Sequence, residues 1–165
     1  MNQSIPMIDG EPVNVCPAAL SDAETIASFN AEMALETEHL VLDRARLLAG
    51  VQALLRDPSK GFYLMACSEG AVIGQLMITY EWSDWRNGNF WWIQSVYVRP
   101  DARGRGVFRR LYQAVEEAAR KSGESCGLRL YVEGENERAQ RVYEGLGMKS
   151  TSYRFYEVDF VLQRS

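Results

Sequence analysis

Val98-Arg99-Pro100-Asp101-Ala102-Arg103-Gly104-Arg105-Gly106-Val107-Phe108 joins two stretches of different periodicity. Residues 90–98 before the join are rich in aromatic and β-branched side chains, the composition of a strand. After it, Leu111, Ala114, Val115 and Ala118 recur at helical spacing and predict a helix over about residues 107–121. Pro100 ends the strand because it has no amide for a ladder. The join is a strand-to-helix turn, and its residue types define what the turn can hold. Gly104 and Gly106 let backbone approach a ligand closely. Amides of a first helical turn have no intrahelical acceptor, and the helix dipole adds partial positive charge there. Arg99, Arg103, Arg105, Arg109 and Arg110 face one acid, Asp101: five of the chain's 18 basic residues lie in the 12 positions 99–110. Phosphate is the anion that such a turn suits.

Two phosphate loops fail on spacing. A Walker loop ends in Gly-Lys-Ser/Thr, which is absent, and a dinucleotide fingerprint needs a third glycine where Arg109 stands. A different nucleotide-bearing ligand is required.

Working outward, residues 13–16 read as a short strand, and Ser21-Asp22-Ala23-Glu24 as a capping box opening a helix with Ile26, Phe29, Met33 and Ala34 on one face. That stripe breaks at Glu36-Thr37-Glu38-His39. Asp43 caps a second helix with Leu47, Leu48, Val51, Leu54 and Leu55 on its apolar face, closing before Pro58. Residues 62–67 and 72–80 form a hairpin around Ser68-Glu69-Gly70. Residues 82–89 read as a polar and aromatic connection whose Asn87-Gly88 pair suits positive backbone angles. With residues 90–98 this predicts a three-stranded antiparallel meander. Downstream come a strand over 128–132, a short helix over 136–144 and a last strand region over 153–161.

The turn sequence resembles the acetyl-CoA pyrophosphate loop of the GNAT N-acetyltransferase superfamily, Arg/Gln-x-x-Gly-x-Gly/Ala. A second family signature follows in order: Leu130-Tyr131-Val132, Asn136, Ala139, Tyr143, Gly147 and Met148. The element order is similar to that family over nearly the whole chain. The resemblance implies an α/β (α+β) fold: a mixed, mostly antiparallel sheet flanked by helices, with splayed central strands forming an acetyl-CoA groove. It implies one domain over 1–165, with 1–12 an irregular extension. The implied activity is acetyl transfer from acetyl-CoA to a primary amine through a direct ternary complex. The alternative is a non-catalytic CoA-binding regulatory module.

Carried residue by residue, the resemblance assigns cofactor contacts to Val96, Tyr97 and Val98 along the pantetheine arm. It assigns pyrophosphate contacts to Arg103, Gly104, Arg105, Gly106, Val107 and Phe108, with Arg109 adding charge, Arg110 solvated, and Asn136 and Tyr143 beside the groove. Phe108 departs from the pattern, which has Gly or Ala there, so the ring must point away from the loop. Tyr143 matches the general acid, and the amide near Val98 the oxyanion donor. Some members carry a glutamate base on the strand before the loop. Residues 90–98 contain no carboxylate, which leaves Glu81 and Glu133 as candidate bases, with Asp84 behind them. Trp82, Asp84 and Gln94, together with Glu36 between the first two helices, are the expected acceptor contacts. All four tryptophans fall in residues 82–92, where aromatic faces and acids suit a cationic amine.

Composition agrees with such a domain. The chain has 165 residues, 47% hydrophobic and 24% charged, which excludes a disordered tail or a fibre. A net charge of -4 argues against an extended polyanion as partner, and arginines and aromatics are segregated rather than interleaved as on an RNA platform. Cys16, Cys67 and Cys126 stand in no metal-ligand spacing and read as reduced, mostly buried thiols, and one histidine leaves no His-rich site. No metal, nucleic-acid or membrane partner is expected. The acceptor that the resemblance implies is a small-molecule or peptide amine. Neither a signal peptide nor a stretch of about 18 apolar residues is present, so a cytoplasmic setting is expected. Members of the family are often dimers, which makes a homodimer the expected assembly.

Overall fold

A computed structural model describes residues 7–8 and 11–162 of the chain. Two short strands, β1 (Met7–Ile8) and β2 (Glu11–Pro12), pair antiparallel, so these four residues depart from the irregular start expected over 1–12. The rest of that stretch lies outside the described residues. By contact the chain divides into two compact units, one to Leu130 and one from Tyr131.

The first unit is built on a five-stranded sheet of order β3-β4-β5-β6-β7. Its strands are β3 (Asn14–Pro17), β4 (Gly61–Ser68), β5 (Ala71–Ser83), β6 (Gly88–Val98) and β7 (Ser125–Arg129). Every pairing is antiparallel except β6 with β7, so the meander stands inside a mixed sheet. The hairpin of β5 and β6 is longer than expected. Trp82 and Ser83 pair with Asn89 and Gly88, and only four residues, Asp84, Trp85, Arg86 and Asn87, make the turn. Aromatic and β-branched neighbours carry the ladder past the polar residues that read as a loop, and Asn87 takes the left-handed angle at φ 49°.

Helix α1 (Ala23–Glu38) corrects two expectations. Its entry is a 3-10 turn at Leu20–Asp22, and the Asp22 carboxylate, not Ser21, closes it by accepting the Ala19 amide at 2.7 Å. Glu24 serves no capping box because its carboxylate is bound to Arg44 at 2.6 Å. The helix also continues through Glu36, which lies in its last turn, and ends where His39 adopts φ 56°. Helix α2 (Arg44–Arg56) begins as expected, with the Asp43 carboxylate accepting the Arg46 amide at 2.7 Å. Ile26, Ala27, Val51, Leu54, Tyr63 and Met65 form the buried cluster between these helices and the sheet.

Helix α3 (Val107–Ser122) buries Val107, Leu111, Tyr112, Val115 and Ala119. Glycine at 74 admits this packing, since a Cβ there would stand 3.0 Å from the Tyr97 carbonyl oxygen and 3.2 Å from Val107 Cγ1. The cysteines are free thiols, but Cys16, on the edge strand β3, is exposed, and Cys67 and Cys126 are half-buried.

Strand β7 begins three residues before the apolar run that announced it. Its register is set by β6, where Phe90 opposes Gly127 and Trp92 opposes Arg129, and not by its own hydrophobicity. The second unit holds α4 (Glu137–Gly145), capped by the Asn136 side chain, which accepts the Ala139 amide at 3.1 Å. Residues 153–161 form no strand. Tyr153, Phe155, Tyr156, Val158 and Phe160 are all exposed, and the Asp159 carboxylate accepts the amides of Val161 and Leu162 at 2.7 Å, which turns the chain. Alternation of apolar residues makes a strand only where one face is buried, and here neither is.

Candidate active site

In the first unit β6 and β7 part at the far end of β6. The ladder with β7 covers positions 89–92 of β6 and stops at the Trp92–Arg129 pair. Residues 93–98 therefore run on with β5 on one side and, among the described residues, no strand on the other. A bulge bends this stretch: Met77 opposes Gln94 and Gln75 opposes Tyr97, so Ser95 and Val96 together face Leu76. Ser95 holds φ 48°, in the left-handed region a non-glycine residue rarely enters.

Buried polar groups support the bulge. Ser95 is hydrogen bonded to the Tyr63 hydroxyl, which accepts from Asn30 Nδ2 at 3.2 Å, and Asn30 Oδ1 accepts from Gln75 Nε2 at 2.8 Å. Gln75 is fully buried. Burial raises the Tyr63 hydroxyl's pKa, so this network is neutral and acts by position. None of these residues carries a motif, and the only sequence signal was a string of polar side chains at otherwise apolar strand positions.

Beyond Val98 the chain makes a 3-10 turn at Pro100–Ala102 and then enters α3 through Gly104 and Gly106, at φ 79° and 81°. Both angles belong to glycine, and the space about the missing Cβ of Gly104 is open. The first helical bond closes from the Arg110 amide to the Gly106 carbonyl at 3.0 Å, which leaves the first-turn amides outside the ladder. Phe108 lies on the helix with its ring 6.3 Å from that of Tyr112.

The arginines are not one pool of charge. Arg99 binds Asp101 at 2.6 Å, and Arg103 binds Glu36 of α1 at 2.7 Å and the Val98 carbonyl at 2.8 Å. Arg109 is exposed. Arg110, expected to be solvated, is half-buried, and its Nε has no hydrogen-bond partner among the described residues. Tyr97 donates to Glu32 at 2.6 Å and lies 3.3 Å from Glu36. Burial first, then these two carboxylates, push its hydroxyl far above the usual tyrosine range. Glu32 is the acid that sequence reasoning missed, since nothing but helical phase with Glu36 marks it.

Other candidates fall elsewhere. Glu81 is held by Arg129 Nη1 at 2.8 and 2.9 Å and by the Trp92 indole N–H. Burial works to raise its pKa, but the Trp92 and Arg129 hydrogen bonds and the Arg129 charge outweigh it, and the net shift is down. A carboxylate so held is a weaker base. Its stabilising contribution is present above the ordinary carboxylate range and is lost as pH falls through its lowered value. Glu81→Gln should therefore melt below wild type at neutral pH, with the difference closing below about pH 4, as thermal melts across that range will show.

Trp82 is exposed, the Asp84 carboxylate accepts the Trp85 amide at 2.8 Å, and Gln94 donates to Thr79. Glu133, Asn136 and Tyr143 belong to the second unit. Burial raises the Tyr143 hydroxyl's pKa. A depression lined by Tyr80, Trp91 and Glu124 lies at the opposite end of β6 and includes none of the expected site residues. Among the described residues no helix is long and apolar enough to cross a membrane, and no cluster of three potential metal ligands occurs.

Taken together, these features define a mixed α/β protein with a parted sheet edge leading into a glycine turn at a helix start. The chain belongs to the acetyltransferase (GNAT) family, whose family model matches residues 23–148. It is 34% identical over 76 residues to a thialysine N-epsilon-acetyltransferase of Bos taurus, a match covering 46% of this chain and 44% of that protein. It is 30% identical over 129 residues to a mycothiol acetyltransferase of Corynebacterium aurimucosum, covering 76% of this chain and 42% of that one. The chain thus spans less than half the length of these two relatives. A crystal structure of a possible acetyltransferase from Clostridium difficile 630 is 44% identical and superposes with a TM-score of 0.83, over 91% of this chain and 99% of that one.

Proposed function

We infer that the chain is an N-acetyltransferase moving the acetyl group of acetyl-CoA to a primary amine in a direct ternary complex. The observation that carries this reading is the parted edge of β6 running into the turn at Gly104 and Gly106. An extended arm with amide groups can add to such an edge, and a diphosphate can rest on the amides of the turn. The open space at Gly104 fits that use, and the Phe108 ring lies 6.3 Å from that of Tyr112 on the same helix. One relative's activity, acetylation of the ε-nitrogen of thialysine, supports an amine as the acceptor class.

In this reading the backbone of Val96, Tyr97 and Val98 aligns the pantetheine arm. The loop from Arg103 to Phe108 holds the diphosphate, with Arg103 and Arg109 adding charge. The amide near Val98 stabilises the oxyanion of the attacked thioester carbonyl. Tyr143 gives its proton, or a hydrogen bond, to the departing sulfur. Glu36, Trp82, Asp84 and Gln94 remain the proposed acceptor contacts, and Glu133 or water takes the amine proton in preference to the tightly held Glu81. A cytoplasmic setting and a homodimer belong to the same reading.

A second reading, a CoA-binding module without turnover, is favoured by one observation: β6 carries no carboxylate, and Glu81 is already paired. Titration with acetyl-CoA and with CoA tests both readings. Micromolar binding is expected, and Arg103→Glu should weaken it at least tenfold. Failure of wild type to bind either compound sinks both. A panel of amines assayed for CoA release separates them, since binding without any turnover leaves only the module.

A further inference from the structure

Arg103 is engaged twice before any ligand arrives. Its Nη2 donates to Glu36 Oε2 at 2.7 Å and its Nε to the Val98 carbonyl at 2.8 Å, while its guanidinium carbon sits 5.5 Å from the centre of the Tyr97 ring. It thereby ties three elements together: the last turn of α1, the end of β6 and the entry to α3. The carbonyl it occupies is the last on the parted edge. Two carboxylates, Glu32 and Glu36, meet at the Tyr97 hydroxyl, and among the described residues Arg103 is the one cation paired with either.

Arg103 and Glu36 side chains are each about two-fifths exposed, at 39% and 40%. An ion pair this accessible to water is weak and open to exchange. A diphosphate carries more charge than one carboxylate and accepts the same forked donors, so it competes well for the guanidinium. We propose that Glu36 is a positioning residue that holds Arg103 in a closed state, and that the cofactor's diphosphate draws Arg103 away from both Glu36 and the Val98 carbonyl.

Two results follow from that exchange. The Val98 carbonyl becomes available at the edge along which the pantetheine arm is proposed to lie. Glu36 and Glu32 are left side by side with no cation, and a protonated amine is the ligand that replaces the lost charge. Cofactor and cationic acceptor therefore favour one another's binding. This inference rests on the acetyl-CoA reading above, and it gives Glu36 a role toward the cofactor that its assignment as an acceptor contact did not contain.

Calorimetric titration of the full chain with CoA provides the test. Glu36→Gln is expected to bind CoA about two- to fivefold more tightly than wild type, because the competing ion pair is gone. Unchanged or weaker binding overturns the proposal and would mean that Glu36 aims Arg103 at the ligand. Glu32→Gln removes the same charge without touching Arg103, so an equal gain there also overturns it. In an Arg103→Ala background the gain from Glu36→Gln should vanish, and its persistence counts against the exchange. Wild type that binds no CoA overturns the cofactor reading itself, an outcome distinct from CoA binding that Glu36→Gln leaves unchanged.

Discussion

Tyr143→Phe is expected to bind acetyl-CoA with the affinity of wild type and to turn over an amine acceptor about a hundredfold more slowly. The substitution removes one hydroxyl and leaves the ring to pack as before on α4. Burial pushes that hydroxyl above its ordinary pKa near 10, so it is protonated throughout the working pH range. A thiol has an ordinary pKa near 8.5, and full proton transfer from Tyr143 to a thiolate is therefore uphill. In the proposed mechanism the hydroxyl would work through a hydrogen bond that strengthens as negative charge grows on sulfur. Such a bond is worth more at the transition state than in the ground state, and its loss appears in kcat rather than in cofactor affinity. Steady-state kinetics with CoA-release detection, paired with calorimetry, checks both halves. An unchanged kcat would remove Tyr143 from the chemistry.

Gly61→Ala should cause a large loss of stability. Gly61 opens β4 at φ 144°, opposite Thr79 of β5. An added Cβ would lie 1.9 Å from the Ile78 carbonyl oxygen and 2.9 Å from its carbon. Both are backbone atoms in the middle of the sheet, so no rotamer change relieves the overlap. Backbone strain of about 1–3 kcal/mol adds to overpacking of about 1–3 kcal/mol, giving a loss of about 3 kcal/mol or more. For a chain of this size that lowers Tm by about 6–12 °C. Gly50→Ala is the matched control: Gly50 sits inside α2 with nothing within 4 Å of its Cβ position, and alanine there should gain up to about 1 kcal/mol. Thermal melts of the two variants should move in opposite directions. A Gly61→Ala protein melting with wild type would contradict the close approach of the two strands.

The meander, the Asp43 cap and the strand-to-helix turn were legible because each rests on local chemistry. Alternation, a capping carboxylate and paired glycines act over a few residues, and neighbours in sequence suffice to specify them. Strand β7 and residues 153–161 were misread for the opposite reason. Ser125, Cys126 and Gly127 lack the β-branched and aromatic side chains that mark a strand and are held in place by β6, whereas Phe155, Val158 and Phe160 have them and no face to bury. Strand formation depends on the partner more than on the segment.

The same division runs through the site. From sequence alone came the family, the fold class and the turn at Gly104 and Gly106, since a glycine pattern at a helix start encodes its own geometry. Tertiary structure decided how the five arginines are used, because the charge left for a ligand depends on acids that fold against them from elsewhere. Asp101 was visible beside Arg99, but Glu36 is 67 residues away from Arg103 along the chain. It decided also that Glu81 is committed to Arg129, 48 residues on, and that Ser95 takes a left-handed angle over a buried network drawn from α1, β4 and β5. Charge and strain are properties of assembled neighbours, and no single segment of this chain contains the neighbours that set them.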